Sequence, residues 1–277
     1  MSATDIHPIA VVDPRAEIDS DVEIGPYAVI EGAVRISAGA KIWPHAYLTA
    51  PLEIGEQCQI HVGAILGHQH QALREPQAGG VRVGARTIVR EYATVHRASQ
   101  QGAWTSIGSD CLLMGFAHVA HDCTIGNRAI LANGALVAGH VTVEEKAILS
   151  GHVAVHQFVR IGTLAMVGGL ARVNKDVPPY LLVKGDSEVW SINVVGLKRA
   201  SVPMQTRAAI REAYRLLYRS GLNTTQALKA IQAMEEQSPE LTHLVRFIQE
   251  SQRGICRHHL RMQVDPNLLD TDEEDVV

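Results

Sequence analysis

From Ile6 to Val173, every sixth residue of the chain is aliphatic, with two interruptions. The first run is Ile6, Val12, Ile18, Ile24, Ile30, Ile36, Ile42, Leu48, Ile54, Ile60 and Leu66. Val83, Val89 and Val95 follow, and then an unbroken run from Ile107 through Leu113, Val119, Ile125, Leu131, Val137, Val143, Leu149, Val155, Ile161 and Val167 to Val173. A helix repeats about every 3.6 residues and a strand every second residue, so neither gives this period. A period of six is a solenoid signature and predicts a parallel β-helix of triangular section. With three hexads to a coil, the twenty-six positions predict eight to nine coils. Stacked about 4.8 Å apart, these make a prism about 40 Å long. Glycine often follows the aliphatic residue (Gly25, Gly55, Gly67, Gly84, Gly108, Gly126, Gly162 and Gly168), where a sharp bend between flat faces favours turn-tolerant residues. An aromatic content of only 4% suits a thin interior filled by stacked Val, Ile and Leu.

The interruptions are the next most informative places. Leu66 and Val83 are seventeen residues apart, where twelve would keep phase. Between Val95 and Ile107 the expected aliphatic position is Gln101, inside the polar stretch RASQQGAWTS. Solenoids expel insertions as surface loops, and such loops often build binding sites; a tolerated surface insertion is the alternative. Pro178 and Pro179 in VPPY are expected to stop the stack. Residues 181–202 read as a connecting segment. A helix is expected from about Met204, with Ile210, Ala213, Tyr214, Leu216 and Leu217 on its apolar face and Gly221 as its stop. A second is expected over about Thr225–Glu236, and a third from Ser238 with Pro239 in its first turn. The domain parse is a β-helix over 1–190, with phase breaks near 67–82 and 97–106, and a helical domain over 191–277 ending in an acidic tail.

A net charge of −4 carries no nucleic-acid signature. No apolar run approaches the roughly 20 residues that span a bilayer. The start MSATDIHPIA lacks the basic and apolar stretches of a secretory signal. Cys58, Cys111, Cys123 and Cys256 show no CxxC spacing, so free thiols in a reducing, cytoplasmic compartment are expected.

Of the fourteen histidines, His96, His118, His121, His140, His152 and His156 fall in the second half of the repeat. In AHVAHDCTIGN, an inward Val119 turns His118 and Ala120 outward and leaves His121 near a corner. Asp122 beside it can fix the imidazole tautomer and stabilise the imidazolium. One coil is eighteen residues, so His140 belongs one layer beyond Asp122 on the same edge. A His–Asp pair supports general-base activation of a hydroxyl or amine. The alternatives are a polar edge ladder without chemistry, or a Zn²⁺ site built from histidines such as His96, His118 and His121.

The stretch GSDCLLMGFAHVAHDCTIGNRAILANGALVAGHVTV, followed by AVHQF, MVGG, DVPPY, INVVGLKR and AIREAYRLLYRSG, resembles the bacterial UDP-N-acetylglucosamine O-acyltransferases over nearly the whole chain. The resemblance implies a left-handed parallel β-helix of hexapeptide repeats with a small C-terminal helical domain. It implies transfer of an (R)-3-hydroxyacyl group from acyl carrier protein to the 3-hydroxyl of UDP-N-acetylglucosamine, the first step of lipid A biosynthesis. His121 matches the base, Asp122 its orienting partner, and Gly139 the backbone donor to the oxyanion. His118 and His140 match positions near acyl chain and sugar, His96 a supporting position, and His156 and Gln157 contacts to the nucleotide sugar. Asn193 and Arg199 match nucleotide and phosphate ligands, and Gly169, beside Leu170, the position that sets acyl length. The resemblance also implies a homotrimer with sites between subunits, no cofactor and no metal.

The chain departs from that family at two places. Where the family has an acid and a lysine in the first loop, this chain reads Gln71-Ala72-Leu73-Arg74, with Arg74 standing in for the lysine and Glu75 near the lost acid. Val195 replaces an acid and Ala200 an arginine in NVVGLKRA. Retained chemistry with altered recognition would give a related acyltransferase for another nucleotide sugar or acyl donor. A non-catalytic or metal-dependent β-helix protein is the third reading. The acidic carrier protein needs a basic dock, for which Arg207, Arg211, Arg215 and Arg219 form a stripe; a solvated helix face is the alternative.

Overall fold

The computed structural model describes residues 4–71, 79–236 and 238–258. Twenty-six short strands run from Asp5–Ile6 to Arg172–Val173, one for each aliphatic position of the repeat. They stack in parallel into three sheets of a left-handed β-helix, with every third strand in the same sheet. Because each coil pairs residue upon residue, the inward side chains form continuous columns. One such column is Ile24, Ile42, Ile60, Val89, Leu113, Leu131, Leu149 and Val167, all at most 3% exposed.

Two residues before each aliphatic position, on all three faces, lies a further inward position, where Ala117, Cys123, Ala129, Ala135, Val141 and Ala147 are buried. Only small side chains fit there, close to the corner. Cys58, Cys111 and Cys123 occupy such positions, each thiol 3.1 Å from a backbone carbonyl, so they serve as space-filling residues. Burial pushes the Cys123 thiol up to about 12.

The glycines do something other than expected. The left-handed residues of the bends are mostly not glycine, as at Arg86 (φ 57°) and Arg128 (φ 58°). Gly84 and Gly126 are required by coil-to-coil approach: a Cβ at either would sit 2.6 Å from a backbone nitrogen of the next coil.

Both interruptions are insertions between consecutive strands. Cross-coil partners are normally 18 positions apart, as for Arg35 and Glu17. They are 29 apart across the first insertion (Arg82 to Glu53) and 24 apart across the second (Thr94 to His118). No hexad is lost at Gln101; the second loop is extra chain, and the first is longer than the phase count implied.

Residues 181–202 are not a connector. Pro178 and Pro179 only offset the chain, which re-enters the first sheet as Leu181–Lys184, pairing in parallel with Met166–Val167. It then turns back antiparallel as Glu188–Ile192. Helix α1 (Val194–Arg199) follows, capped by Asn193. The missed signal was the alternation that buries Leu181 and Val183.

Helices α2 (Met204–Tyr218), α3 (Thr224–Gln232) and α4 (Pro239–Gln249) pack around Ile210, Ala213, Ile231, Leu241, Leu244 and Phe247. Asn223 forms a capping box with Gln226, and Ser238 caps α4. Glu144 interrupts the glycine column to hold this bundle. Its carboxylate accepts from Thr163 N (2.7 Å) and Oγ1 (2.8 Å) and lies 2.7 Å from His243 Nε2 on α4. Burial pushes that carboxyl up, but His243 and Thr163 outweigh it and hold it below its ordinary value. Among the described residues, no helix is long and apolar enough to cross a membrane.

Gly126→Ala is expected to lower stability by about 1–3 kcal/mol, through overpacking against the next coil. Gly151→Ala, whose Cβ would meet only Asn133 O at 3.5 Å, should stay within about 0.5 kcal/mol. Urea denaturation of both variants checks this.

Candidate active site

The second sheet stacks Thr94–His96, His118–Val119, Leu136–Val137, Ala154–Val155 and Arg172–Val173. Val119 is fully buried, which turns His118 outward. The chain leaves this sheet at a corner where Asp122, His140 and Phe158 take left-handed backbone conformations, at φ 59°, 61° and 63°. That bend brings Asp122 against its own neighbour, with Oδ2 2.6 Å from His121 Nδ1. A carboxylate can only accept, so Nδ1 carries the proton and Nε2 is left as the basic nitrogen. The other Asp122 oxygen accepts from Ser99 N at 3.0 Å, and the Asp122 N–H donates to Thr105 Oγ1 at 2.8 Å. Burial raises the Asp122 carboxyl, but the hydrogen bonds from His121 and Ser99 outweigh it and keep it ionised.

Adjacent coils complete the corner. His140 lies flat on Phe158 (4.6 Å between centroids, 5° between planes) and edge-on to His121 (5.1 Å, 89°). Its Nε2 is 3.6 Å from Asp122 Oδ2. Gly139 is the floor under the His121 ring: a Cβ there would stand 2.7 Å from Cε1 and Nε2. Its N–H has no hydrogen-bond acceptor among the described residues. On the strand that leads into this corner, His118 Nδ1 pairs with Thr94 Oγ1 of the coil before at 2.7 Å. His96, 7% exposed, lies edge-on to His118. Burial lowers the proton affinity of His118, and burial with the neighbouring His118 takes His96 down to about 4.

A groove of about 500 Å³ runs from His121 and Gly139 over Leu136, Ala138 and Ala154 to His156, Gln157 and Arg172. It meets a basic cavity of about 440 Å³ formed by His156, Arg172, Asn174, Lys175 and Arg253. His118, His121, Asp122, Gly139, His140, His156 and Gln157 therefore converge. Asn193 stands apart: it is buried, donates to Leu164 O at 2.8 Å and accepts from Gly196 N, so capping occupies it. Arg199 is exposed at the end of α1 and does not line the groove. Gly169 and Leu170 sit at the turn that leads into the Arg172–Val173 strand, Leu170 strongly exposed. Arg74, with Ala72 and Glu75, lies outside the described residues, as does the acidic tail.

Sequence reasoning missed Ser99 and Thr105, which hold Asp122, and His70, whose ring centroid is 5.8 Å from that of His121. Ser99 and His70 come from the inserted loops, whose packing no period can forecast. The histidine trio suggested for a metal does not form. The ligand atoms that converge, within 4.8 Å of one another, belong to His121, Asp122 and His140.

Residues 105–139 match the bacterial transferase hexapeptide repeat family, and residues 176–256 match domain 2 of UDP-N-acetylglucosamine O-acyltransferase. An acyl-[acyl-carrier-protein]–UDP-N-acetylglucosamine O-acyltransferase from Halorhodospira halophila is 43% identical over 259 residues, covering 92% of this chain and 100% of that protein. The chain belongs to this family. A Gloeothece citriformis member is 43% identical over 203 residues, 73% of each chain. The crystal structure of the Francisella novicida UDP-N-acetylglucosamine acyltransferase superposes with a TM-score of 0.89 at 34% identity, over 97% of this chain and 100% of that one.

The neutral histidines of this acyltransferase make its stability depend on pH. A histidine held uncharged in the fold takes up its proton on unfolding, so the unfolded chain binds more protons between about pH 4 and 6.5. Stability is therefore expected to fall as pH drops through that window, with His96 contributing about 3 kcal/mol at the acid end. His96→Gln should flatten the slope of stability against pH, measured by urea unfolding at stepped pH.

Proposed function

We propose that the chain transfers an (R)-3-hydroxyacyl group from acyl carrier protein to the 3-hydroxyl of UDP-N-acetylglucosamine, opening lipid A biosynthesis. The observation that carries this reading is the His121–Asp122 pair at the mouth of an apolar groove. His121 Nε2 takes the hydroxyl proton as the oxygen attacks the thioester carbonyl. Asp122 stabilises the imidazolium, and the Gly139 N–H, free of other acceptors, receives the oxyanion. Collapse breaks the C–S bond, and the leaving thiolate takes the proton back from His121. Leu136, Ala138 and Ala154 suit the acyl chain, while His156, Gln157 and the adjoining cations suit the anionic parts of the substrates.

His118, His140 and His96 then shape the groove around acyl chain and sugar. At Gly169 an added Cβ would meet only Gly151 O at 3.4 Å, and that open space beside Leu170 suits a long acyl chain. The groove is open along one side, with Leu136 and Phe158 exposed, which favours a homotrimer in which a neighbour closes it. In that assembly Arg199 would serve a neighbouring subunit's nucleotide. Arg211, Arg215 and Arg219 gather around Tyr214 as a dock for the acidic carrier protein, though Arg215 also pairs with Glu212.

A second reading, a different nucleotide sugar, is favoured by Val195, an exposed apolar residue on α1 where the family carries an acid. The test is purified chain with UDP-N-acetylglucosamine and a series of 3-hydroxyacyl carrier-protein thioesters, with 3-O-acylated product expected. His121→Ala and Asp122→Asn should each lower kcat by about 10²–10⁴ without loss of fold. Gly139→Ala should do comparable damage by displacing the His121 ring, with both members of the pair intact. No product at any chain length would overturn the reading, and product only with another nucleotide sugar would establish the second.

A further inference from the structure

We propose that His70 is a specificity-determining residue of the acceptor site, its imidazole hydrogen-bonding a neutral hydroxyl or amide group on the sugar beside the reacting oxygen. The proposal rests on the acyl-transfer reading above. His70 is only 6% exposed, yet neither of its ring nitrogens has a hydrogen-bond partner among the described residues. The residues on both sides, Gln69 and Gln71, are exposed, so the chain turns His70 inward against the local trend. A buried imidazole without partners is unfavourable, and such groups in a native fold call for an explanation. Its surroundings supply one. The ring lies 5.8 Å from that of His121, and Gln71, the next residue, lines the groove. The segment is anchored there, because His68 O accepts from Arg97 N at 3.1 Å in the second loop.

The chemistry of the missing partner follows from the ring's charge. Burial first, then His121 and Arg97, lower its proton affinity, outweighing the opposite pull of Asp122. A neutral imidazole offers one donor and one acceptor. A phosphate presents only acceptors and an acyl chain neither. A sugar hydroxyl or an acetamido group presents both, and such groups flank the reacting hydroxyl of the acceptor.

Calorimetric titration of the full chain with UDP-N-acetylglucosamine and with UDP alone tests this. His70→Ala should weaken nucleotide-sugar binding about tenfold and leave UDP binding within about twofold. His70→Gln, which keeps a donor and an acceptor, should recover most of the loss. At saturating nucleotide sugar, kcat should change by less than about threefold, since the role is in binding. Equal losses for UDP and the nucleotide sugar would overturn the proposal, as would unchanged affinity in His70→Ala. So would Zn²⁺ binding abolished by His70→Ala with sugar affinity retained, which would make His70 a ligand beside His121, Asp122 and His140. A wild-type chain that binds UDP but not UDP-N-acetylglucosamine would overturn the acceptor reading together with the proposal. Acyl transfer that proceeds normally in His70→Ala, at unchanged KM, would overturn His70 alone.

Discussion

Coil-to-coil backbone hydrogen bonding sets the spacing on which everything else in this chain depends. It places each residue directly above its counterpart in the coil before, about 4.8 Å away. Inside the prism that constraint yields unbroken aliphatic columns with small residues beside them at the corners. It also favours glycine where two backbones close, as at Gly84 and Gly126. At the corners the same constraint aligns Asp122, His140 and Phe158, which lays His140 flat on Phe158 at 4.6 Å and brings it edge-on to His121 at 5.1 Å. A globular fold would need many separate contacts to assemble such a cluster. Here the register alone does it, and the residues at the corner need only be chosen.

The two insertions are one device. The second loop donates the Ser99 N–H to Asp122, while its first residue, Arg97, bonds the backbone of the first loop at His68. Ala98 N adds a further bond to Gly80 O, where the chain returns to the prism. The regular coil supplies His121 and Asp122, with Thr105 and His140 to steady them. The second loop supplies Ser99, so the orientation of the base is tied to an insertion as well as to the coil.

Legibility in the sequence follows the reach of the period. Each aliphatic position counted along the chain corresponds to one strand, because inward side chains obey the coil register and nothing else. The convergence of Asp122 and His140 was legible for the same reason, being one coil apart. His70 and Ser99 were not, since they lie in chain inserted between strands, where only three-dimensional packing fixes direction. Residues 181–202 were misjudged because a proline pair normally ends a sheet; here the chain steps over it, and Leu182 resumes pairing with Met166. Asn193 shows the opposite limit. Its position matches a nucleotide ligand of the family, but in this chain its amide is occupied in capping α1 and bonding Leu164 O.

The crowd of imidazoles around the base has an electrostatic logic. Proton transfer from the acceptor hydroxyl creates a positive charge on His121, and cations nearby would oppose it. His118, three residues before the base in the same coil, is kept uncharged by burial; in His96 and His70 burial is reinforced by neighbouring groups. These rings can therefore form hydrogen bonds without repelling the imidazolium. The Asp122 carboxylate, held below its ordinary proton affinity, is the one charge placed in direct contact with His121 among the described residues. Burying these histidines lowers stability in acid, and that cost is the counterpart of a site whose charge appears only at the reacting centre.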